Sequence, residues 1–463
     1  MMTYSLLNYG SGQPRSWRRL AFVLAAATTL AACVVGMVVR LRMQQEGASP
    51  DTLNPVIDTF KLYKGSLPMP WSAHAYNGYE DKRWHPKVRH GKTGYAHVFA
   101  LGDWGALLPS HVSAQRKPNG WIPDAQWKVA GAMQRMARRV NPQYFLNVGD
   151  NFYWQGITQS CNTKPSGAWG MARGNFQAGW RSMYGWLANK PWLSALGNHD
   201  YGGYQFAQGW PQQIGYSFVN HHWIMPARYY HKKMRHNGYT VEYFITDSNA
   251  WDAHSPGQDE EHNICSFHNP PGASCWANGG MSNIWDCPGW FWKSHHQQKK
   301  WLIRKMKAST ADWKIVVTHF PCGTDDAFYR HLHQRHGLDL LVTGHRHQQE
   351  LWHKGTQNGW IKGNMAAHDL GGLTCFVTGG GGGIDAEDYP GVWYGGRDLT
   401  WFGFFHLMIS KQKIKVHMID ENGRLRGSTI VHARKKHHGP HSRHQRRLHH
   451  NHSTVHHRHH HSR

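Results

Sequence analysis

The chain has 463 residues, which is enough for one large domain or two ordinary ones with a sizeable buried core. Its 40% hydrophobic and 13% aromatic content, with 24 Trp, excludes an intrinsically disordered protein. The formal net charge of +24 is high enough for a nucleic-acid-binding protein, but much of it lies at the two ends. From His432 onward there are eight Lys or Arg and no Asp or Glu. The charge therefore describes mainly the termini and indicates no specific nucleic-acid site.

An uncharged apolar run, Leu20–Val39, lies near the N-terminus. As a helix it would span ~30 Å, about the hydrocarbon thickness of a bilayer. Arg15, Arg18 and Arg19 precede the run, whereas Arg40 and Arg42 follow it with Glu46 and Asp51 nearby. The positive-inside rule therefore favours a cytoplasmic segment 1–19 and a translocated main domain. We expect 20–39 to be a signal anchor, with the main domain in the secretory pathway, a vacuole or lysosome, or at the cell surface. A cleaved signal peptide and a secreted protein are the alternative.

Cysteine usage agrees with that compartment. One of the seven cysteines, Cys33, lies inside the apolar run, and six follow it. An even number in an oxidising compartment allows up to three disulfides, although the pairing cannot be read from sequence. Cys265, Cys275 and Cys287 lie in one Gly/Pro/Asn/Ser-rich stretch, so we expect at least one disulfide to close that loop. The alternative is that some of the six are buried free thiols.

The main domain is predicted at 94–430, after a polar stem and extended arm at 40–93. Strands are predicted at Tyr95–Leu101, Tyr144–Val148, Trp192–Leu196, Val241–Thr246, Ile315–Thr318, Leu338–Thr343 and Phe376–Thr378, with closing strands within Phe402–Lys415. Helices are predicted after Pro123-Asp124 and at His295–Lys307. Residues 250–295 are predicted to form a Cys-rich insertion loop. The His- and Arg-rich segment 431–463 cannot bury a core and is predicted to be a disordered tail.

Five short segments each end an apolar run with residue types that bind metal ions. They are Leu101-Gly102-Asp103-Trp104-Gly105, Gly149-Asp150-Asn151-Phe152-Tyr153, Gly197-Asn198-His199-Asp200, Val316-Val317-Thr318-His319 and Gly344-His345-Arg346-His347. Any one of them occurs by chance, because Asp and Asn beside Gly are common in turns. All five in this order, each after a strand-like run, place ligands at the carboxyl ends of strands, where α/β sheets form their sites.

The residue types in these segments indicate a particular chemistry. Hydrolysis of a phosphate ester needs an oxygen nucleophile and a way to offset charge on the phosphoryl group, and two cations ~3.5–4 Å apart supply both. Carboxylate and phenolate ligands suit a hard trivalent ion, whereas imidazole and amide ligands suit a divalent ion. The chain offers both kinds of ligand, so the sequence predicts a two-metal hydrolase.

The five segments and their surroundings resemble the purple acid phosphatase family of calcineurin-like metallophosphatases, especially its small, tartrate-resistant branch. The resemblance covers about Ala96 to Phe405 and includes Gln213–Ser217, Trp223–Pro226 and Tyr229-Tyr230. It implies an α/β (α+β) fold, a four-layer sandwich of two mixed β-sheets flanked by helices. The N-terminal transmembrane helix and the disordered C-terminal tail would be added to that domain.

The resemblance also implies a ligand set and a reaction. The expected ligands of a ferric ion are Asp103, Asp150, Tyr153 and His347, and those of a divalent Fe, Zn or Mn ion are Asn198, His319 and His345, with Asp150 as the bridge. The expected activity is that of an acid phosphatase that hydrolyses phosphate monoesters by attack of a hydroxide held on this dinuclear centre. His199 would stabilise charge on the leaving group or donate a proton to it, with a structural role as the alternative.

One position departs from the family pattern. Members often carry another histidine about nine residues after the histidine of the Val-x-x-His segment. Here that position is Phe328, preceded by Asp325-Asp326, and His331 is the nearest imidazole. Protonation of the leaving group is therefore expected to depend on His199 alone, or on an Asp or His of this loop.

Two other functions are compatible with the same segments. A phosphodiesterase or nucleotide pyrophosphatase would use the same metal ions, and loops at the rim of the site would decide the substrate. A non-catalytic, membrane-anchoring relative is a protein of a different class. Degenerate ligands would mark that case, whereas all seven ligand positions are filled here.

The tail 431–463 is also open to more than one interpretation. From His432 onward it contains thirteen histidines among basic residues. Such a segment could bind divalent metal ions, or hold anionic polymers once its histidines are protonated. A solvated tail without a specific partner is the alternative.

Overall fold

The computed structural model describes residues 68–82, 94–105, 124–166, 174–259, 262–353, 370–383 and 402–434, with the backbone of 87–88. All of them belong to the unit Tyr63–Arg463. The predicted segment 1–19, the predicted anchor Leu20–Val39, most of the stem and nearly all of the tail lie outside the described residues. Across the described ranges, every helix is too short or too polar to cross a lipid bilayer.

The described elements follow an order of strands and helices typical of a mixed α/β domain. The strands are β1 Tyr79–Glu80, β2 Lys87–Val88, β3 Ala96–Leu101, β4 Tyr144–Asn147, β5 Trp192–Ser194, β6 Trp223–Ile224, β7 Tyr230–His236, β8 Tyr239–Ile245, β9 Trp313–Val317, β10 Leu340–Thr343, β11 Gln349–Trp352, β12 Thr374–Thr378, β13 Gly403–Ile409, β14 Lys413–Asp420 and β15 Leu425–His432. The α-helices are α1 Ala125–Val140, α2 Asn198–Tyr201, α3 Trp210–Tyr216, α4 Cys287–Ala308 and α5 Asp326–His336.

The strands form two mixed sheets. The first sheet has the order β1-β7-β8-β9-β10-β12-β11, with β2 also paired to β7, and the second has the order β15-β14-β13-β3-β4-β5-β6. Strands β8, β9, β10 and β12 are parallel in the first sheet, and β3 to β6 are parallel in the second. Antiparallel strands flank both parallel groups. Two mixed sheets with helices confirm the predicted α/β class.

The central strands of the first sheet are buried on both faces. Alternate residues such as Ile245, Val317 and Val342 belong to the main core, which also contains the strands of the second sheet. Their neighbours along the chain, such as Val316 and Leu341, belong to a second core formed with α4 and α5. Because side chains alternate across a strand, burial on both faces requires a continuous apolar run. Such runs are why these strands could be predicted from the sequence.

Helix α4 begins at Cys287, so the predicted start at His295 is wrong. Asp286 is the residue before the helix, and Pro288 lies in its first turn. Proline is tolerated there because N–H groups of the first turn have no hydrogen-bond partner within the helix. His295 and Gln298 are buried in the middle of the helix, so polar residues interrupt the apolar pattern that marks its inner face. The predicted insertion 250–295 therefore includes the first turns of α4, and its loop part ends at Asp286.

Strand β7 and helix α5 are further elements that the sequence reading missed. Strand β7 has the sequence YHKKMRH, which looks solvent-exposed. In the fold Lys232 is fully buried, and its ammonium group lies 3.5 Å from the Asp81 carboxylate. A buried charge is tolerated when it is paired, and that pairing partner is distant in sequence.

Three disulfides join all six described cysteines. Cys265–Cys287 and Cys161–Cys275 hold the insertion, and Cys322–Cys375 links the segment after β9 to β12. The expectation of a disulfide in the insertion is confirmed, and the alternative of free thiols is wrong for these cysteines. Each bond stabilises the fold by about 2–4 kcal/mol, mainly by restricting the unfolded chain.

A histidine pair lies buried across β3 and β13. His97 Nδ1 and His406 Nε2 are 2.9 Å apart, and the two rings are stacked. Burial, together with the neighbouring His97 and His417, lowers the pKa of His406 to about 3. Since this folded-state pKa lies below the ordinary value of 6.5, the unfolded state takes up the proton first. The pair therefore loses stabilisation as the pH falls below 6.5 towards the folded value.

We expect His406→Gln to weaken this acid sensitivity, because glutamine keeps a hydrogen-bonding side chain but does not titrate. Between about pH 7.5 and about pH 5, the free energy of unfolding should fall by roughly 2 kcal/mol less in the variant than in the unmodified protein. Urea unfolding followed by Trp fluorescence at both pH values measures the difference. His221→Gln, at an exposed histidine, is the control. An equal pH dependence in His406→Gln and the unmodified protein would contradict the prediction.

Candidate metal centre

All seven predicted ligand positions lie in segments that directly follow central parallel strands; six are in loops, and Asn198 is the first residue of α2. In chain order these residues are Asp103, Asp150, Tyr153, Asn198, His319, His345 and His347. The first four follow strands β3, β4 and β5 of the second sheet, and the last three follow β9 and β10 of the first sheet. The carboxyl ends of both parallel groups therefore meet at one place. The structure brings all seven side chains together there.

In three of these loops the first ligand residue has a left-handed backbone conformation, which determines the direction of its side chain. Asp103, Asp150 and His345 have φ values of 55°, 51° and 71°. A non-glycine residue adopts this conformation only where its surroundings hold it, and such strain concentrates at functional sites. Here the Asp103 N–H donates to Gly149 O at 2.9 Å, and the His345 N–H donates to Asp103 Oδ1 at 2.9 Å. The loops thus fix one another.

The packing of these loops requires a glycine. A Cβ atom built on Gly197 would overlap Asp150 Oδ1. The absence of a side chain lets the backbone before Asn198 lie directly against the Asp150 carboxylate. This close approach explains the glycine of the Gly197-Asn198-His199-Asp200 segment.

The first donor group surrounds the phenol oxygen of Tyr153. The Tyr153 hydroxyl donates to Asp150 Oδ2 at 2.9 Å and lies 3.1 Å from His347 Nε2 and 3.5 Å from Asp103 Oδ1. Asp103, Asp150 and His347 each offer one ligand atom within 4.8 Å of the others, and all three are buried. Three oxygen donors and one imidazole thus converge at one point.

The second donor group surrounds the amide oxygen of Asn198. Asn198 Oδ1 lies 3.0 Å from His319 Nε2 and 3.3 Å from His345 Nδ1. His319 Nε2 is also 3.4 Å from Asp150 Oδ1. Asp150 therefore places one carboxylate oxygen in each donor group.

The donor set of the second group fits a cation. His319 Nδ1 lies 3.0 Å from the Val148 carbonyl and donates to it, which directs the Nε2 lone pair of a neutral imidazole into the site. That nitrogen then faces two oxygen acceptors, from Asn198 and Asp150. Three hydrogen-bond acceptors this close together repel one another, so a proton or a metal ion between them is needed to make the arrangement favourable.

The electrostatics of the buried carboxylates lead to the same conclusion. Burial raises the pKa of Asp103 well above its usual value. Burial also acts to raise the pKa of Asp150, but the nearby His319 outweighs it and holds that pKa below its usual range. Burial acts to lower the pKa of His319, yet Asp150 and Asp103 raise it to about 9. Within the described ranges, no Lys or Arg forms an ion pair with either carboxylate, so their positive partner is a protonated His319 or a bound cation.

Asp200 holds two of the ligand loops together. Its carboxylate accepts hydrogen bonds from Gly197 N, Asn151 N, Asn151 Nδ2 and Gln213 Nε2 at distances of 2.8 to 3.0 Å. Gln213 belongs to the Gln213–Ser217 segment of the family resemblance. A fully buried carboxylate that accepts four hydrogen bonds is a rigid support for Asn198 and Asp150 on either side.

His199 lies beside the first donor group. Its Nδ1 is 2.6 Å from the Trp154 carbonyl, and its backbone N–H donates to Asp150 Oδ1 at 2.9 Å. The imidazole and Tyr153 rings are 4.5 Å apart. The ring is thus oriented by backbone at the edge of the site.

The segment that departs from the family pattern, at the start of α5, makes contacts with α4. Asp325 accepts from Lys299 at 2.6 Å and lies 3.6 Å from His295, both on α4. The Lys299 ammonium group also lies 4.2 Å from the centre of the Phe328 ring. These contacts commit Asp325 to an ion pair with α4.

Two residues near the site escaped the sequence reading, and both come from the insertion. The ring centre of His262 lies 6.5 Å from that of His345. Asp252 is 2% exposed, and burial together with the nearby Asp150 raises the pKa of its carboxyl group to about 8. Neither residue belongs to a recognisable motif, and only the clustered cysteines indicated that the insertion is held in place.

A buried group of carboxylate, phenol, amide and imidazole donors at the strand ends of two mixed sheets defines a metal-dependent phosphoesterase. Residues 96–349 match the sequence model of the calcineurin-like phosphoesterase family, and the chain belongs to this family. The predicted relationship to purple acid phosphatases is also confirmed.

Similar proteins include two acid phosphatases. Human tartrate-resistant acid phosphatase type 5 is 22% identical over 368 residues, which cover 73% of this chain and 91% of that protein. Purple acid phosphatase 7 of Arabidopsis thaliana is 24% identical over 367 residues, which cover 76% of this chain and 90% of that protein. The similarity therefore extends over nearly the whole of each relative.

Similar solved structures include purple acid phosphatase PPD1 from yellow lupin seeds, with a TM-score of 0.41 and 15% identity over 78% of this chain and 55% of that one. Another is GAP50, the anchor in the inner membrane complex of Plasmodium, with a TM-score of 0.44 and 14% identity over 74% of this chain and 90% of that one. At these TM-scores neither likeness says anything about function.

We expect Asp200→Ala to destabilise the protein by about 3 kcal/mol or more, because four buried donors lose their acceptor. Chemical denaturation followed by Trp fluorescence measures the change in free energy of unfolding. Asp124→Ala, which removes an exposed carboxylate paired with Lys128, is the matched control and should change stability little. A similarly small loss in both variants would show that Asp200 does not support the ligand loops.

Proposed function

We propose that this chain is an acid phosphatase that hydrolyses phosphate monoesters with two metal ions bound at the candidate centre. The observation that carries the proposal is the position of the Asp150 carboxylate. One of its oxygens faces Tyr153 and the other faces His319, so a single buried side chain joins the two donor groups. Membership of a phosphoesterase family and similarity to acid phosphatases support the reaction class.

The proposed ligands follow from donor chemistry and the family resemblance. A ferric ion is assigned to the group around the phenol and a divalent Fe, Zn or Mn ion to the group around the amide, with ligands Asp103, Asp150, Tyr153 and His347 for the first and Asp150, Asn198, His319 and His345 for the second. Anionic oxygen donors dominate the first group and neutral nitrogen and oxygen donors the second. When bound, such a pair of ions lowers the pKa of a water molecule and offsets negative charge on the phosphoryl group.

The protein itself contributes orientation. The His199 backbone N–H holds one Asp150 oxygen, and the Val148 carbonyl fixes the ring of His319. The Trp154 carbonyl similarly orients the His199 ring at the edge of the first donor group. We assign His199 to the leaving group, where it would donate a hydrogen bond to the departing oxygen.

The cellular setting is part of the same proposal. Three disulfides are typical of proteins in the secretory pathway or outside the cell. The sequence alone supports an anchor at Leu20–Val39, with a cleaved signal peptide as the alternative. It also supports the binding of anionic polymers or metal ions by the tail 431–463.

We expect the full-length protein to contain two metal ions and to hydrolyse p-nitrophenyl phosphate with a higher kcat/KM than bis(p-nitrophenyl) phosphate. Asp150→Ala should lose metal from both positions and lower the rate at least about a hundredfold, because it removes the shared ligand. Elemental analysis and steady-state kinetics measure both effects, with Asp124→Ala as the control. A preference for the diester would favour the phosphodiesterase alternative. A protein with neither metal nor hydrolysis would favour the non-catalytic relative.

Tyr153→Phe tests the assignment of the ferric ion. A tyrosinate bound to ferric iron gives a visible charge-transfer band and a purple or pink colour. We expect the iron-loaded protein to show this band and Tyr153→Phe to lose it, since phenylalanine offers no oxygen. Tyr144→Phe is a suitable control, because its hydroxyl group bonds to Tyr243 away from the site. An unchanged band in Tyr153→Phe would show that Tyr153 does not bind the iron.

A further inference from the structure

Helix α4 carries a stripe of positive charge on its outer side. Its sequence contains six Lys or Arg and no Asp or Glu. Residues three or four apart lie on one face of a helix, and five exposed residues follow that spacing. They are Lys293, His296, Lys300, Arg304 and Lys307, and we call them the basic face. From its first to its last member, the basic face extends for about 21 Å.

The basic face is directed away from the protein core. The buried residues Phe291, Gln298 and Leu302 lie on the opposite side of α4, about half a helical turn around its axis. Leu302 packs in the second core, against the first sheet. The charges of the basic face therefore project into solvent rather than towards the sheet.

Carboxylates near α4 are paired with other residues. Asp325 pairs with Lys299, and Asp339 pairs with Arg434. Within the described ranges, no carboxylate forms an ion pair with a member of the basic face. The helix macrodipole stabilises cations only in the last turn, so it accounts only for the last member. Because like charges at this spacing repel one another, the basic face is unfavourable unless an anion binds to it.

The positive surface continues from α4 to α5. Lys314 Nζ donates to the Met306 carbonyl of α4 at 2.8 Å and to the His336 carbonyl of α5 at 3.0 Å. One ammonium group thus holds the C-terminal ends of the two helices together. Helix α5 contains two Arg and three His but only one Asp. The basic face is therefore flanked by further basic residues at its C-terminal end.

The basic tail starts at the same place. Arg434 is the last described residue, and its guanidinium group donates to the Gly337 carbonyl after α5 and to the Asp312 carbonyl after α4. The sequence beyond Arg434 contains seven further Lys or Arg and no Asp or Glu. A long ligand that binds the basic face therefore reaches the residue from which the tail continues.

The side chains around the basic face indicate the class of anion. Membrane-binding helices insert Trp, Phe or Leu beside their basic residues, and proteins that bind single-stranded nucleic acid stack bases on aromatic rings. Within the described ranges, none of the exposed large apolar side chains belongs to α4 or α5. Three disulfides are typical of the secretory pathway and the cell exterior, where sulfated polysaccharides are abundant linear polyanions.

We propose that the basic face is a docking surface for a linear sulfated polysaccharide. Successive sulfate groups of such a chain pair with successive Lys and Arg side chains along α4, and bound counterions are released. None of the residues of the basic face is a predicted metal ligand, so the inference does not depend on the proposed hydrolysis.

The triple variant Lys300→Gln, Arg304→Gln, Lys307→Gln tests the inference, because it removes three charges and keeps polar side chains. Binding of fluorescently labelled heparin to the full-length protein in non-ionic detergent is measured by fluorescence anisotropy at several salt concentrations. We expect the affinity at about 0.15 M salt to fall about 10–100-fold and to depend less steeply on salt. The melting temperature and the hydrolysis of p-nitrophenyl phosphate should not change.

The matched control is the triple variant Arg135→Gln, Arg138→Gln, Arg139→Gln, which removes three exposed charges from α1. It lowers the net charge by the same amount, and the tail is intact in both variants. Equal affinity for heparin in the two variants would overturn the inference, as would failure of the unmodified protein to bind heparin.

Competition for the labelled heparin tests the class of ligand. Unlabelled heparin should compete more strongly than single-stranded RNA or phosphatidylserine vesicles at an equal concentration of charge. Stronger competition by the RNA or by the vesicles would overturn the inference, because the surface then serves a different polyanion. Lys300→Gln alone should cause a smaller loss of affinity, and it replaces the triple variant if that protein is unstable.

Discussion

The buried carboxylate of Asp150 is the constraint on which the rest of the site depends. It accepts from the Tyr153 hydroxyl on one side and lies against His319 on the other, with the His199 N–H also directed at it. Such a group in the interior is unfavourable unless positive charge is supplied. The strand ends, the left-handed loops and the close approach of Gly197 all serve to hold it in a place that favours cations.

Support for this carboxylate comes in two layers with different origins. The two sheets deliver the ligands, and Asp200 ties the loops after β4 and β5 together through Asn151 and Gln213. The insertion adds Asp252, a buried carboxyl group near enough for Asp150 to raise its pKa. The first layer follows from strand order, whereas the second depends on a disulfide-bonded loop. Variation in the insertion can therefore change the surroundings of the donor groups without moving the strands that deliver the ligands.

The sequence predicted the first layer well because it depends on local patterns. Strands buried on both faces give continuous apolar runs, and the residues that end them, such as Asp103 and His345, lie at fixed offsets from those runs. The features that were not predicted depend on contacts between residues that are distant in sequence. Lys232 makes β7 look exposed because its partner Asp81 is far away in sequence, and buried His295 obscures the pattern of α4. Asp252 carries no local signal, since only the fold brings it near Asp150.

Long-range contacts also explain the surroundings of Phe328, the position where this chain departs from the family pattern. Asp325, three residues before it, pairs with Lys299 and His295 of α4, so this segment joins α5 to α4. The insertion instead brings His262 to within 6.5 Å of the His345 ring. The rim of this site is thus built from a different part of the chain than the family pattern suggests. Since the two sheets deliver the donor groups and the insertion reaches one of them through His262, we expect substrate selectivity to follow the insertion.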